Sequence, residues 1–160
     1  MPDSDYTRAE AASLSKQLSD FYNGDSWVTY NLHRRIFSLD SAIAFKKLPQ
    51  HHHCIAEQLQ HITSWRNFAV QRLTGNNSFD IADNSISDWP QGKDWGAIKN
   101  DFLHTHYALL KAIADFDNEN WILTVPGRNY SFLFLLKGVV HHDYYHYGQM
   151  TSLLAVLDEE

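Results

Sequence analysis

The C-terminal part of the chain carries a long, regular pattern of apolar positions. Starting at Leu135, seven positions separated alternately by four and three residues form one seam of a helix. They are Leu135, Val139, His142, His146, Gln149, Leu153 and Val156. This spacing is typical of a helix packed against neighbouring helices. The seam is apolar at both ends and polar for two turns in the middle, so it predicts a long helix, starting at about Ser131, that buries two imidazoles and an amide.

The histidine pair in this seam needs a physical explanation, because a buried polar group without a partner costs a few kcal/mol. His142 and His146 are four residues apart, which places their Cβ atoms about 5–6 Å apart on one helix face. Both rings can therefore reach one metal ion at about 2.0–2.1 Å. The alternative is a pair of core histidines bonded to backbone or water. For a pair in register within an aliphatic seam, we favour the metal.

A second stripe runs beside the seam on the same helix. It is apolar except at Asp143, and its other members are Leu136, Val140, Tyr147, Met150, Leu154 and Leu157. Asp143 directly follows the first histidine of the pair but points about 100° away around the helix. We therefore do not expect Asp143 to act as a general base at a site formed by the pair.

Three more segments have the periodicity of long helices, and together with residues 131–157 they predict an all-α four-helix bundle. Their boundaries are residues 6–23, 50–75 and 95–115. A shorter helix is expected over residues 27–37, and Asp40 and Asp94 have the position of helix caps. Residues 78–96 are rich in Asp, Asn, Ser and Gly, which indicates a long loop between the second and third long helices. The whole chain, residues 1–160, is predicted to be one domain.

The remaining histidines are weaker candidates. His61 lies beside the apolar stripe of the second long helix, and alone it would be read as a half-buried histidine. It gains weight because the pair lacks a third ligand. His51, His52 and His53 are adjacent and point in three directions, so we interpret them as a helix start, with His53 facing inward. His104 and His106 face apart on the third long helix and predict no site.

Composition excludes several classes of protein. The net charge is −6 with histidines neutral, and no run of Lys and Arg exceeds two, which argues against nucleic-acid binding. No apolar run approaches the length of a membrane span, and the polar start does not resemble a signal peptide. The chain has one cysteine, Cys54, which fits a reducing compartment. We therefore expect a cytoplasmic protein without nucleic-acid or membrane partners.

The string HHDYYHYGQM around the histidine pair resembles the C-terminal helix motif of the DinB/YfiT-like superfamily, His-x-x-x-His-x-Gly-Gln. Further segments match in order and spacing: residues 24–28, 55–65, 72–75 and 88–90. The resemblance implies an up-down-down-up four-helix bundle that holds a divalent metal on three histidines. Matched by position, these are His61, His142 and His146, with Tyr145 and Gln149 at flanking positions as candidates for contacts around the ligands.

Three histidines leave coordination positions open, as in catalytic metal sites. Nitrogen ligands suit several metals, and zinc or nickel is expected. The superfamily includes thiol-dependent S-transferases, so the resemblance implies a low-molecular-weight thiol and a small electrophilic substrate, with Gln149 orienting a ligand or water. A metal-dependent hydrolase and a non-catalytic, stress-related metal-binding bundle are the alternatives. A homodimer is expected.

Overall fold

In the computed structural model, which describes residues 4–28 and 30–157, the chain forms helices and connecting loops. Four helices are long: α1 (Ser4–Asn23), α3 (Ile55–Leu73), α4 (Trp95–Asp115) and α5 (Phe132–Leu157). A short helix, α2 (Ser41–Ala44), a π-helical turn (His33–Phe37) and a 3₁₀ turn (Asn118–Ile122) complete the described elements. The prediction of an all-α bundle with a long loop between α3 and α4 is confirmed.

Two apolar clusters fill the bundle and define the direction of its helices. The first contains the end of α1, the starts of α3 and α4 and the end of α5, through Phe21, Ile55, Ile98 and Leu154. The second contains the opposite ends of the same helices, through Leu14, Phe68, Ile113 and Leu135. Thus α1 and α5 run in one direction and α3 and α4 in the other, which is the up-down-down-up arrangement.

Several helix ends lie where local chemistry predicts them. The carboxylates of Asp40 and Asp94 accept the backbone N–H groups of Ile43 and Ala97, each at 2.9 Å, at the first turns of α2 and α4. These are N-caps of the expected kind. Gly75 follows α3 with a φ of 87°, the left-handed conformation in which glycine ends many helices.

Two predicted helix boundaries are wrong. Of the helix expected over residues 27–37, the described residues form the π-helical turn at its end, and residue 29 lies outside the described residues. Before that turn, the side chains of Ser26 and Asn31 bond the backbone of Val28 and Gly24, and such local bonds compete with a helix.

The second long helix begins at Ile55 and not near residue 50, so His51, His52 and His53 precede it. The Glu57 carboxylate accepts the backbone N–H of Cys54 at 3.0 Å, which fixes the first turn of α3 at this point. Within the described residues, no helix has both the length and the apolar character required to cross a bilayer.

Candidate metal centre

The three-histidine cluster, which consists of His61, His142 and His146, lies between the two apolar clusters, where α3 meets α5. One ring nitrogen from each residue lies within 4.8 Å of the other two. Nε2 of His61 and Nε2 of His142 are 2.9 Å apart. Two nitrogens that bind one ion at about 2.0–2.1 Å are themselves about 2.9–3.4 Å apart. The structure thus brings the three predicted residues together at distances compatible with a shared metal ion.

Asp88, in the loop between α3 and α4, orients the His61 ring. Nδ1 of His61 donates to the Asp88 carbonyl and carboxylate oxygens, each at 2.9 Å. The same carboxylate accepts Nε1–H of Trp65 and the backbone N–H of Asn84, again at 2.9 Å. Because Nδ1 carries the proton, Nε2 keeps the lone pair that faces His142. A carboxylate behind a histidine in this way is typical of metal sites.

All three imidazoles are held in the neutral form. Burial, helped by the neighbouring His146 and His61, lowers the pKa of His142 to about 3. Burial and the charge of His61 lower the pKa of His146 to about 4. Burial also lowers the pKa of His61, although its bonds to Asp88 act in the other direction. Metal binding requires neutral imidazoles, so the rings are ready to bind an ion at neutral pH.

The hydrogen bonding of the cluster is incomplete. The Nδ1 atoms of His142 and His146 are buried and have no hydrogen-bond partner among the described residues. Each such atom costs about 1–3 kcal/mol. The atom of His142 that faces His61 is Nε2, so an ion bound there would leave Nδ1 of His142 unpaired, and it is the convergence of the three ring nitrogens that favours an ion. The donor set therefore fits a divalent metal with nitrogen preference.

Trp89 separates the cluster from the other nearby histidine. Its ring stacks on His61 with centroids 3.9 Å apart, and its opposite face stacks on His53 at 3.5 Å. His53 is thus partly buried but lies beyond the Trp89 ring, outside the three-histidine cluster. His51, His52 and His104 are exposed.

Two cavities lie near the cluster. The polar cavity, of about 570 Å³ and named for its polar side chains, is lined by residues that include His53, Gln58, Tyr145 and Gln149, but not by the three clustered histidines. Gln149 is half-buried and lies near His146, where it opposes the lowering of that ring's pKa, whereas Tyr145 is 63% exposed. The second cavity is an apolar groove of about 250 Å³, and the His142 ring forms part of its wall. Both flanking residues predicted from the motif therefore face the polar cavity.

A second polar group, the ion-pair cluster, lies deeper in the bundle and consists of Arg66, Asp143 and His106. Nε and one terminal nitrogen of Arg66 donate to the same Asp143 oxygen at 2.9 and 2.6 Å. The other terminal nitrogen contacts Nδ1 of His106 at 2.8 Å. Burial and the Arg66 charge lower the pKa of His106 to about 3, so this ring is the acceptor.

Sequence reasoning missed the roles of Asp88, Arg66 and His106. One signal was available for the ion-pair cluster, because Asp143 interrupts an apolar stripe and a buried carboxylate requires a cationic partner. Asp88 gave no comparable signal, because its position depends on how the loop after α3 folds back across the helix.

Comparison with known proteins supports the arrangement. The sequence profile of the DinB superfamily matches residues 4–150. No curated protein and no solved structure shows significant similarity to the chain.

Proposed function

The chain belongs to the DinB superfamily, and from this premise we propose that it is a metalloenzyme that joins a small thiol to an electrophilic small molecule. His61, His142 and His146 hold a divalent metal, with zinc or nickel as the candidates. The observation that carries the proposal is the convergence of three neutral imidazoles, one of which lines the apolar groove, with no carboxylate among the ligand atoms.

Three nitrogen ligands correspond to a catalytic type of site, because structural zinc sites usually have four protein ligands. A divalent ion in such a site supplies positive charge that lowers the pKa of a thiol or of water. A bundle with two apolar clusters does not depend on a metal for its core. Both points favour catalysis over a structural metal.

The residues around the cluster favour a thiol over water as the nucleophile. A free thiol has a pKa of about 8.5, so positive charge alone is sufficient to ionise it near neutral pH. Hydrolysis usually also employs a general base. The carboxylate near the cluster, Asp88, is already engaged with His61, Trp65 and Asn84. Asp143 is 1% exposed and paired with Arg66.

The polar cavity suits the polar body of the thiol. Gln149 connects this cavity to His146, and its amide can both donate and accept hydrogen bonds. Tyr145 adds an exposed hydroxyl at the same opening. We assign to these two residues the orientation of the thiol, while Asp88 keeps the His61 ring in position.

The first test is metal analysis of tag-free protein by inductively coupled plasma mass spectrometry. We expect about one equivalent of metal in the wild type and its loss in His61→Ala and His146→Ala. His104→Ala, which removes an exposed histidine outside the cluster, should retain the metal. No metal after dialysis against zinc and nickel, or equal metal in all variants, would refute the proposal.

The second test is the reaction of 2-mercaptoethanol with 1-chloro-2,4-dinitrobenzene, followed by absorbance. A carbon–sulfur bond forms, chloride leaves and the thiol proton passes to the buffer. The zinc- or nickel-loaded protein should accelerate the reaction, and His146→Ala should not. Equal rates with both proteins would exclude thiol transfer to this electrophile and leave metal binding without the proposed chemistry.

A further inference from the structure

The apolar groove beside His142 has features of a ligand site that the metal proposal does not explain. Aromatic side chains form its walls, namely Trp65 of α3, Phe134 of α5 and Tyr130, which precedes α5. The rest of its lining comes from α5, with Gly138 between Phe134 and His142 and with Leu135 and Val139 beside it. Among the described residues, none with a charged side chain lines the groove. Phe134 is 62% exposed, although it is a large apolar side chain on a helix.

Gly138 is the informative residue of the groove. Glycine in a helix interior costs roughly 0.5–1 kcal/mol relative to alanine. Neither of the usual reasons for a glycine applies here. Its φ is not among the positive values, and a Cβ at this position would meet nothing within 4 Å. By contrast, a Cβ at Gly24 would lie 2.7 Å from the backbone of Asp20. Because position 138 has no side chain, the groove stays open between Phe134 and His142.

The groove is tied to the three-histidine cluster by hydrogen bonds as well as by proximity. Nε1–H of Trp65 donates to the Asp88 carboxylate that also orients His61. The Trp65 ring lies 6.1 Å from the His142 ring, centroid to centroid. One wall of the groove and one ring of the cluster are therefore held by the same acid, which fixes their relative positions.

We propose that this groove binds an uncharged apolar group of about one aromatic ring on the electrophilic substrate, and that Gly138 determines which groups fit. The inference rests on the proposed function for its link to a substrate. A cavity of about 150 Å³ accommodates benzene, so 250 Å³ accommodates one ring with a short substituent. The polar cavity receives the thiol.

The test uses metal-free protein labelled with 5-fluorotryptophan, and benzyl alcohol is the probe. The ¹⁹F resonance of Trp65, assigned with Trp65→Phe, should shift saturably, whereas those of the buried Trp95 and Trp121 should not. Gly138→Leu should weaken binding at least tenfold by filling the groove, while Gly138→Ala should change it less than threefold. Ala155→Leu is the matched control, because it adds a side chain of similar size to an exposed position of α5 outside the groove.

Three results would overturn the inference. The first is the absence of a saturable Trp65 shift. The second is an affinity for benzyl alcohol that is the same in Gly138→Leu, in Phe134→Ala and in the wild type, because these variants fill the groove and remove one of its walls. The third is sedimentation showing that benzyl alcohol or Gly138→Leu disrupts a dimer, because a second copy of the chain would then be the natural occupant. Circular dichroism of each variant confirms that it is folded.

The design separates the two proposals. The probe is measured on metal-free protein, so its binding does not depend on a metal. If the probe binds saturably but the protein takes up no metal, the proposed metalloenzyme function is refuted and the groove stays an apolar ligand site. If the protein binds metal and transfers the thiol but does not bind the probe, only the proposal for the groove is refuted. Metal analysis of Gly138→Leu should still give the wild-type content, since position 138 contributes no ligand atom.

Discussion

Two polar clusters lie next to each other inside this bundle, and they are built in opposite ways. The ion-pair cluster contains fixed charges and is sealed: Arg66 is 0% and Asp143 is 1% exposed. The guanidinium also lies over the rings of Phe102 and Phe21. The three-histidine cluster is uncharged, borders the apolar groove through His142 and retains nitrogen atoms that have no partner among the described residues.

The difference shows that burial of polar groups does not by itself identify a functional site. His142 and Asp143 are adjacent in sequence and both interrupt apolar stripes of α5. The donors of Arg66 are largely used by Asp143 and His106, and although Oδ1 of Asp143 has no partner among the described residues, that residue is 1% exposed. In the three-histidine cluster, one ring nitrogen of each residue lies within 4.8 Å of the other two, and His142 borders the apolar groove. The three-histidine cluster therefore differs from the ion-pair cluster in having ligand atoms next to a cavity. The two clusters do not differ in being polar and buried.

The largest effect that would test this contrast is the loss of metal affinity in His142→Ala. Even outer partners of metal ligands change affinity by about 10–100-fold, so removal of a ligand should exceed roughly 100-fold. The free energy of unfolding of metal-free protein should change little, because the substitution also removes a buried nitrogen without a partner. Chelator competition measures the affinity and urea unfolding measures the stability. A strongly destabilised variant with normal affinity would reverse the assignment of the two clusters.

The next effect is on the ion-pair cluster. Arg66→Met or Asp143→Leu alone should lower the free energy of unfolding by about 3–5 kcal/mol, because each leaves a buried charge unpaired. The double variant should recover most of that loss, since buried ion pairs are often replaceable by apolar residues. Urea unfolding of the four proteins completes a double-mutant cycle. Additive losses would show that the two residues do not act as a pair.

The double variant also sharpens the contrast with the three-histidine cluster. Once stability is recovered, it should bind metal with the wild-type stoichiometry, because neither residue supplies a ligand atom. Absence of metal in a stable, helical double variant would mean that the ion-pair cluster positions the histidines and is not merely structural.

A smaller effect is expected from pH in metal-free protein. The pKa values of His106, His142 and His146 are lowered to about 3, 3 and 4, whereas in the unfolded chain they are near 6.5. The unfolded state therefore binds more protons between these values, and stability falls as pH decreases below about 6.5. Each group contributes up to about 1 kcal/mol between pH 6.5 and 5.5, so the total loss is roughly 2–3 kcal/mol.

Stability should still fall on acidification although Asp143 acts in the opposite direction. Burial raises the pKa of Asp143, although Arg66 opposes the rise, and a raised carboxyl pKa favours the folded state at low pH. One carboxyl is outweighed by three imidazoles. His142→Ala/His146→Ala should remove about two thirds of this loss and retain the contributions of His106 and of His61, whose pKa burial also lowers. Urea unfolding at pH 7.5, 6.5 and 5.5 measures both proteins, and stability that is constant or increases on acidification would contradict the prediction.

Much of the bundle and the grouping of the three histidines could be predicted from the sequence, for identifiable reasons. The pattern of α5 places His142 and His146 on one face, since helix geometry is local and periodic. The caps at Asp40 and Asp94 also depend on a few neighbouring residues. His61 required more, because the periodicity of α3 alone does not specify which turn of α5 it faces; the family resemblance supplied that register.

The remaining features depend on contacts between distant segments. Arg66 meets His106 only after α3 and α4 adopt their relative register, which hydrophobic periodicity does not determine. The start of α3 moved to Ile55 because Glu57 bonds the backbone of Cys54, although nothing in the apolar pattern prevents an earlier start. The apolar groove likewise exists only once Trp65 of α3 lies beside the part of α5 that carries Phe134 and Gly138.

Asp88, the residue that sequence reasoning missed beside the three-histidine cluster, gives the smallest and most selective prediction. Asp88→Asn retains the backbone carbonyl that accepts from His61 but removes the negative charge behind the ring. Metal affinity should therefore fall by about 10–100-fold without loss of stoichiometry at saturating metal. His53→Ala is the control, because His53 stacks on the opposite face of Trp89 and should leave affinity unchanged. If Asp88→Asn binds metal as tightly as wild type while His53→Ala does not, the ligands lie on the other side of Trp89. The candidate metal site would then lie at the polar cavity, and the comparison with the ion-pair cluster would apply to that site.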